Sequence, residues 1–242
     1  MNNSKTFKSN MKLLINYGGQ IVLMTIFTSI FSLGFGQSTM LSKKDNDPKA
    51  KQILDKLKKQ YDSYKTMEVS FELDLELVGR PSEKQTGVFI QDGKKFQIKM
   101  QDQEIYTDAK SVWLYQKRNK EVQISDFDEN ETNEIMSPKQ MMNLYNRGDF
   151  IYAILEERKS GGAFLADIEF KPINKNSDYT KMRLTVNKNA NKMVSLRVFS
   201  RDGSKYTLKI TNLKYNKKYE PAMFSFNPKA VTGIHIEDLR MD

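Results

Sequence analysis

The acidic side chains of one segment are the first candidates for chemistry in this sequence. Four carboxylates recur at even spacings between positions 67 and 78: Glu68, Glu72, Asp74 and Glu76. A pair of carboxylates can act as the acid and base of a glycosidase. The residues at the alternate positions are apolar, so a strand would place all four acids on one face and the apolar residues on the other. We therefore interpret the carboxylates as solvated surface groups.

The residues needed for nucleophilic catalysis and for the usual metal sites are too few. His235 is the only histidine and the chain has no cysteine, so it can form neither a catalytic triad nor a zinc site of imidazole and thiolate ligands. Asp126-Phe-Asp128 begins like a calcium loop, but Glu131 stands where the loop needs glycine and Ser137 where it needs a bidentate glutamate. We predict no metal, no cofactor and no enzymatic activity.

The apolar residues of the same acidic segment are the more informative set. Every second residue from Met67 to Leu77 is apolar, which predicts a strand over 67–78 with one apolar face. A one-faced antiparallel sheet must cover its apolar side, and most of this chain is predicted to be strand. This pattern is the basis of a lipid-binding hypothesis. Ordinary core packing is the alternative for each of these residues.

The first 36 residues are predicted to be a secretory signal peptide. Lysines at 5, 8 and 12 precede a mostly apolar run of 13 residues, Ile21–Leu33, and Gly34-Phe-Gly36 then offers small residues. We expect cleavage near Gly36 and Gln37. The run is short for a membrane span, which needs about 20 residues. An uncleaved N-terminal anchor is the alternative.

The 206 residues that remain after removal of 36 from 242 are enough for one domain with a sizeable core. We predict a flexible leader over 37–47 and a single domain over 48–242. Without the three lysines of the signal segment the net charge of +9 falls to +6, and this basic excess favours anionic lipid surfaces or acidic partners. We predict no nucleic acid as partner, because the basic residues do not interleave with aromatics in a binding motif.

A helix is predicted at the start of the domain. Pro48 follows Asp47, a plausible N-cap, and apolar residues then recur at helical spacing from Ile53 to Tyr64. We expect an amphipathic helix of about four turns that covers the apolar face of the sheet, with Leu54 and Leu57 on its inner side.

The rest of the chain is predicted to be an antiparallel meander with hairpins at Asp92-Gly93 and Asp202-Gly203. About eleven strands are predicted, at 67–78, 87–91, 94–100, 104–108, 112–116, 121–125, 164–171, 180–187, 193–200, 205–215 and 232–236. Ser137-Pro138 is predicted to open a second helical stretch in mid-chain. Its apolar side would be Met141, Met142, Leu144 and Tyr145. Residues 151–155 are predicted to form a further short helix or turn.

Several segments resemble the LolA-like periplasmic carriers of lipoproteins. Asp108-Ala-Lys-Ser-Val-Trp113-Leu-Tyr115, followed by Glu121-Val-Gln-Ile124, is similar to the family's "DGKxxWxY" segment. Gly87–Phe96 resembles the hairpin before it, and Phe224-Ser-Phe226-Asn-Pro228 resembles part of the family's C-terminal half. The individual motifs are loose, and their order along residues 50–242 carries the resemblance.

The resemblance implies a mainly β fold, an incomplete and strongly bent antiparallel barrel of about eleven strands with helices as a lid over an apolar concave face. It implies a periplasmic carrier, expected to act as a monomer. Its partners would be acylated lipoproteins, an inner-membrane lipoprotein-releasing transporter and an outer-membrane acceptor. Each buried acyl CH₂ is worth about 0.8 kcal/mol, so acyl chains need a shield to cross water.

From the apolar face and the resemblance together, we predict two sets of binding residues. The expected lining of the cavity is Val69, Phe71, Leu73, Phe96, Ile98, Trp113, Tyr115, Leu184 and Leu196. The expected lid residues are Leu54, Leu57, Met141, Met142 and Tyr145. A sensor or scaffold that binds lipid or protein without transport is the second hypothesis, and a hydrolase of envelope lipids is the third.

Two departures from the family pattern concern glycine and arginine. Ala109 stands where the family's turn usually has glycine, and Asp92-Gly93 stands where many members have an arginine and a proline. That arginine is thought to hold the lid in the family. Lys94 or Lys95 would have to replace it here, and a lysine lacks the guanidinium fork.

Overall fold

Strand β1 shows why the first half of the chain folds as a sheet. The computed structural model describes residues 46–128, 144–146 and 148–240. In β1, Thr66–Glu76, the apolar side chains from Met67 to Leu75 are buried and the acids between them are partly exposed. This alternation is the predicted one, because successive side chains of a strand point to opposite faces.

One sheet contains all twelve strands of the described residues. Their order in space is β12-β6-β5-β4-β3-β2-β1-β11-β10-β9-β8-β7. The bounds are β1 Thr66–Glu76, β2 Glu83–Asp92, β3 Lys95–Met100, β4 Gln103–Thr107, β5 Ser111–Gln116, β6 Glu121–Asp126, β7 Phe150–Ser160, β8 Ala163–Pro172, β9 Tyr179–Asn187, β10 Lys192–Ser200, β11 Lys205–Tyr215 and β12 His235–Asp238. The sheet is open and curved, which confirms the predicted incomplete barrel with a helical lid.

Helix α1, Pro48–Asp62, begins at an anchored N-terminus. The Asp47 carboxylate accepts hydrogen bonds from the backbone N–H of Lys49 at 2.8 Å and of Ile154 in β7 at 3.1 Å. The Asn46 side chain accepts one from the N–H of Tyr152 at 3.0 Å. The N–H of Ile154 is the main cause that lowers the pKa of Asp47. Asp47 is therefore both the predicted N-cap and the connection between α1 and the edge strand β7.

Residues 151–155 contradict the predicted short helix or turn, since they lie within strand β7. Phe150, Tyr152 and Ile154 all contribute to one buried cluster, as alternation in a strand requires. The register with β8 shifts between Ile154 and Glu156, so Leu155 occupies a bulge and its side chain is 52% exposed. Apolar residues occupy both faces of the strand here, since Ile151 is buried as well and Leu155 lies in the bulge, and this hides the alternation of a one-faced strand.

The mid-chain helix predicted from Ser137-Pro138 lies outside the described residues, as do Met141 and Met142. The nearest described element is a 3₁₀ turn over Leu144–Asn146. Ala109, at the position where the family has glycine, has a φ of 70°. An alanine in this left-handed conformation costs about 1–2 kcal/mol.

The chain after β11 crosses the outer face of the first half of the sheet. The Tyr219 hydroxyl donates to Glu68 in β1 at 2.9 Å, and the Gln97 side chain in β3 donates to the Met223 carbonyl at 2.8 Å. The chain then forms β12, which pairs in parallel with β6. We call residues 216–240 the C-terminal strap.

Candidate functional site

Two buried apolar clusters occupy the inner face of the sheet, the face against which α1 packs. The first lies between α1 and strands β7–β10. The second lies on β1–β5. Three half-buried residues of β11, Tyr206, Ile210 and Leu213, contact both clusters. The inner face is therefore continuous and apolar across both halves of the sheet.

The structure brings most of the predicted cavity residues onto this inner face. Val69, Phe71, Leu73, Phe96 and Ile98 belong to the second cluster. Leu184 and Leu196, which pair directly across β9 and β10, belong to the first cluster. The predicted lid residues Leu54, Leu57 and Tyr145 also belong to the first cluster. Their role in ligand binding stays a prediction.

Trp113 and Tyr115 do not lie on the inner face, and this part of the prediction is corrected. In the register of β4 and β5, Trp113 pairs with Tyr106 and Leu114 pairs with Ile105. Ile105 and Leu114 contact the second inner cluster, whereas Trp113 and Tyr115 pack in a third cluster that includes Phe226 of the C-terminal strap. The ring centroids of Tyr115 and Phe226 are 5.0 Å apart. Both aromatics are therefore half-buried on the outer face, in the cluster that Phe226 joins.

The predicted cavity set omits several residues of the second cluster. These are Leu75, Phe89, Met100, Ile105, Val112 and Leu114. Both faces of β5 are apolar, so the alternation of β5 alone does not say which face is inner. Paired residues share a face of the sheet. Ile98 pairs with Ile105 and Ile105 pairs with Leu114, so knowledge of these two pairings would have placed Leu114 on the inner face.

Gly87 creates the space in which one of the cavity residues lies. It pairs with Phe71 across β1 and β2. A Cβ atom at Gly87 would lie 2.5 Å from Cζ of Phe71 and 2.8 Å from the backbone oxygen of Lys99. The Phe71 ring thus lies against the bare backbone of β2, a close approach that requires glycine.

A hydrogen-bonded triad ties the turn at Leu144–Asn146 to α1. The Tyr145 hydroxyl donates to Asp55 Oδ1 at 2.7 Å, and Lys51 Nζ donates to Asp55 Oδ2 at 2.7 Å. Burial, and then the bond to Asp55, raises the pKa of Tyr145. Burial alone would raise the pKa of Asp55, but the bonds from Lys51 and Tyr145 outweigh it and lower that pKa. These contacts hold one predicted lid residue against the helix.

The acidic side chains of β1 lie on the outer face, and Glu68, Asp74 and Glu76 are paired with basic residues. Lys214 Nζ lies 2.5 Å from Glu68 Oε1, and Lys209 Nζ lies 2.6 Å from Asp74 Oδ2. The hydrogen bond from Lys214, followed by that from Tyr219, lowers the pKa of Glu68. This arrangement is a row of cross-strand ion pairs and agrees with the interpretation of these acids as surface groups.

We predict that the Glu68→Gln variant unfolds with a weaker dependence on acid pH than the wild type. Because the folded pKa of Glu68 is lowered, its ionised form stabilises the fold above the unfolded pKa, and this contribution is lost as the pH falls through the folded pKa. The variant should lose about 1 kcal/mol at neutral pH. Urea unfolding at a series of pH values measures both effects. The exposed Glu83→Gln is the control, and an equal slope in both variants would contradict the prediction.

Two other features bear on function. In residues 46–128, 144–146 and 148–240, no group of three acidic or histidine side chains is placed to hold a metal ion. Within the same described ranges, no helix is both long and apolar enough to cross a membrane.

Comparison with known proteins places this geometry in a family. Residues 62–227 match the model of the outer membrane lipoprotein carrier protein LolA. No curated protein matches the chain. An uncharacterized conserved protein from Thermus thermophilus has 10% identity and a TM-score of 0.51, with 78% of this chain and 99% of that chain covered. That likeness shows the fold alone.

Two further solved structures are similar at lower TM-scores. A LolA superfamily protein from Nitrosomonas europaea has 12% identity and a TM-score of 0.38, with 73% of this chain and 97% of that chain covered. A chain of the Pseudomonas aeruginosa MucA/MucB complex has 9% identity and a TM-score of 0.38, with 74% of this chain and 61% of that chain covered.

The match to the family model covers more than half of the residues, and the sheet has the expected form. The chain therefore belongs to the LolA family of outer membrane lipoprotein carrier proteins.

Proposed function

We propose that this protein is a periplasmic carrier that binds the acyl chains of lipoproteins on the inner face of its sheet. It takes them at the inner membrane and delivers them to the outer membrane, without catalysis. The observation that supports the proposal is the continuity of the inner face, where β11 joins the two buried apolar clusters. The family match supports the class of ligand.

The open sheet supports the binding of a ligand of variable length. In the described residues the edge strands β12 and β7 are at opposite ends of the order and do not pair with each other. Helix α1 contributes side chains to the first cluster and none to the second in those residues. An acyl chain that replaces contacts along β1–β5 gains about 0.8 kcal/mol for each buried CH₂.

The predicted signal peptide over 1–36 supports the periplasmic location. The partners follow from the direction of transport: a lipoprotein-releasing transporter of the inner membrane supplies cargo, and an acceptor at the outer membrane receives it. We propose that the carrier acts as a monomer.

The Leu73→Arg variant is expected to lose the binding of a triacylated peptide. Leu73 is 7% exposed in the second cluster, so the variant places a charge where the acyl chain would lie. Glu72→Arg is the matched control, because Glu72 is the next residue of β1 and faces outward. Fluorescence titration with a labelled triacylated peptide measures binding, and thermal unfolding monitors the fold.

A second variant keeps the test decisive if Leu73→Arg does not fold. Leu114→Arg changes a half-buried inner position of β5, and Trp113→Ala changes the neighbouring outer position. We expect loss of binding in the first and retention in the second. Unchanged binding in a folded Leu73→Arg or Leu114→Arg variant would contradict the proposal. A wild-type protein that binds the peptide but never releases it to acceptor membranes would instead be a sensor or scaffold.

A further inference from the structure

Two arginines lie directly opposite each other on the outer face of β9 and β10. Arg183 pairs with Arg197 in the register of these strands. Like charges at directly opposed positions of an antiparallel pair are destabilising. The sheet holds this juxtaposition in place, so the two guanidinium groups form a fixed concentration of positive charge.

An aromatic ring positions the cations. Arg183 and Arg197 lie 5.7 Å and 5.3 Å from the ring centroid of Phe199, and Lys181 Nζ lies 5.0 Å from it. Cations within about 6 Å of such a ring are attracted to its face. The three cations therefore converge on one ring rather than spread into solvent.

The carboxylates around this cluster do not balance its charge. Glu169 is shared by Arg183 at 3.1 Å, Lys181 at 3.1 Å and Lys171 at 3.7 Å. Glu76 is shared by Arg197 at 2.6 Å and Lys205 at 3.5 Å. Five cations thus face two carboxylates, an excess of three positive charges.

Two neighbouring carboxylates on this face, Asp74 and Asp167, belong to other ion pairs. Asp74 lies 2.6 Å from Lys209, and Asp167 lies 2.6 Å from Arg158. They therefore leave the excess charge of the cluster in place.

The arginines also have hydrogen-bonding capacity that the described residues do not fill. The Nε atoms of Arg183 and Arg197 are buried and have no acceptor within hydrogen-bond distance. A buried donor without an acceptor is destabilising. The side chains themselves are 30% and 36% exposed, so an incoming ligand can reach their outer N–H groups. A small oxyanion at this point would supply negative charge and would accept hydrogen bonds from those outer N–H groups.

We propose that Arg183, Arg197 and Lys181 form a binding site for a phosphate group on the outer face of β9 and β10. Planar guanidinium groups match phosphate oxygens in bidentate geometry. Such a phosphate comes from the headgroup of an anionic phospholipid or from a soluble phosphate. The site lies on the opposite side of the sheet from the apolar inner face, so it stands independently of the carrier proposal.

The experiment compares binding to two vesicle types and to inorganic phosphate. Full-length mature protein is mixed with vesicles of phosphatidylglycerol and phosphatidylcholine, or with phosphatidylcholine alone, and co-sedimentation is measured. The variant Arg183→Gln/Arg197→Gln removes the pair. The matched control is Arg118→Gln/Arg240→Gln, which also removes two arginines in ion pairs, with Asp102 and Asp238. Thermal unfolding confirms that each variant is folded.

We expect the pair variant to bind the anionic vesicles roughly 30-fold more weakly, since each basic residue near such a surface contributes about 1 kcal/mol. The control variant should bind as the wild type does. Arg197→Lys keeps the charge but removes the planar fork, and it should also bind more weakly. Equal losses in the pair and control variants, or full binding by Arg197→Lys, would overturn the proposal, because they would indicate only general charge attraction.

The inorganic phosphate arm separates the two sources of the group. Saturable NMR shifts of the Arg183 and Arg197 Nε–H signals with phosphate but not chloride, without vesicle binding, would support the site and assign it to a soluble phosphate. Vesicle binding that depends on the pair would assign it to a lipid headgroup. The absence of both the phosphate-induced shifts and the pair-dependent vesicle binding would overturn the proposal.

Discussion

Replacing Leu57 by alanine is expected to lower the free energy of unfolding by about 2–5 kcal/mol, the usual range for a buried leucine. The Leu57 side chain is fully buried between α1 and the inner face. Helix α1 is attached to the described strands through its N-cap and through its buried apolar side chains. A cavity at Leu57 therefore removes contacts from the helix and from the strands beneath it. Urea unfolding followed by circular dichroism measures the loss.

Lys59→Ala is the control for the Leu57 variant, because it changes an exposed residue of the same helix. It should alter stability by less than about 0.5 kcal/mol. A Leu57→Ala variant as stable as this control would show that α1 adds little to the fold. If the helix covers the ligand, the Leu57→Ala variant should also bind labelled acyl peptide with an altered affinity. This measurement connects the stability of α1 to the carrier proposal.

Replacing Gly87 by alanine is expected to cost about 1–3 kcal/mol, as overpacking of a close contact does. The added Cβ would overlap both the Phe71 ring and the backbone oxygen of Lys99. The ring can move only into the second inner cluster, and the oxygen is held in β3. Chemical unfolding of the Gly87→Ala variant measures the cost.

A double-mutant cycle identifies the origin of the Gly87 effect. Phe71→Leu removes the ring that lies over Gly87, so Gly87→Ala should cost less in that background than in the wild type. Additive costs would mean that the ring contact is not responsible. If the costs are not additive, the cost of Gly87→Ala that remains in the Phe71→Leu background reports the contact with the Lys99 oxygen.

Strong local signals account for the parts of the fold that were predicted correctly. The alternation of β1 repeats over ten residues, and Asp47-Pro48 combines an N-cap with a favoured first helical residue. These signals involve neighbours in sequence, so each could be interpreted without knowing the rest of the sheet. The family resemblance supplied the curvature and the position of the lid, which no single segment encodes.

The errors arose where the decisive interaction lies far away in sequence. Strand β7 contains a bulge at Leu155, and only its pairing with β8 shows that the segment is extended. Trp113 and Tyr115 lie on a strand that is apolar on both sides, and Phe226, more than 100 residues later, covers the outer side. A sequence pattern reports that a face is covered but not which part of the chain covers it.

The C-terminal strap has a consequence for how the chain folds. Its contacts link residues of great sequence separation: Gln123 donates to Glu237, 114 positions away, and Tyr219 donates to Glu68 of β1, 151 positions away. Since synthesis proceeds from the N-terminus, strands β1–β6 emerge long before the segments that pair with β1 and β6 at their two edges. Folding dominated by such distant contacts is slow. During that interval the edges of β1 and β6 and the outer face that the strap covers are open to solvent, so the nascent protein itself needs protection from aggregation before it can shield any ligand.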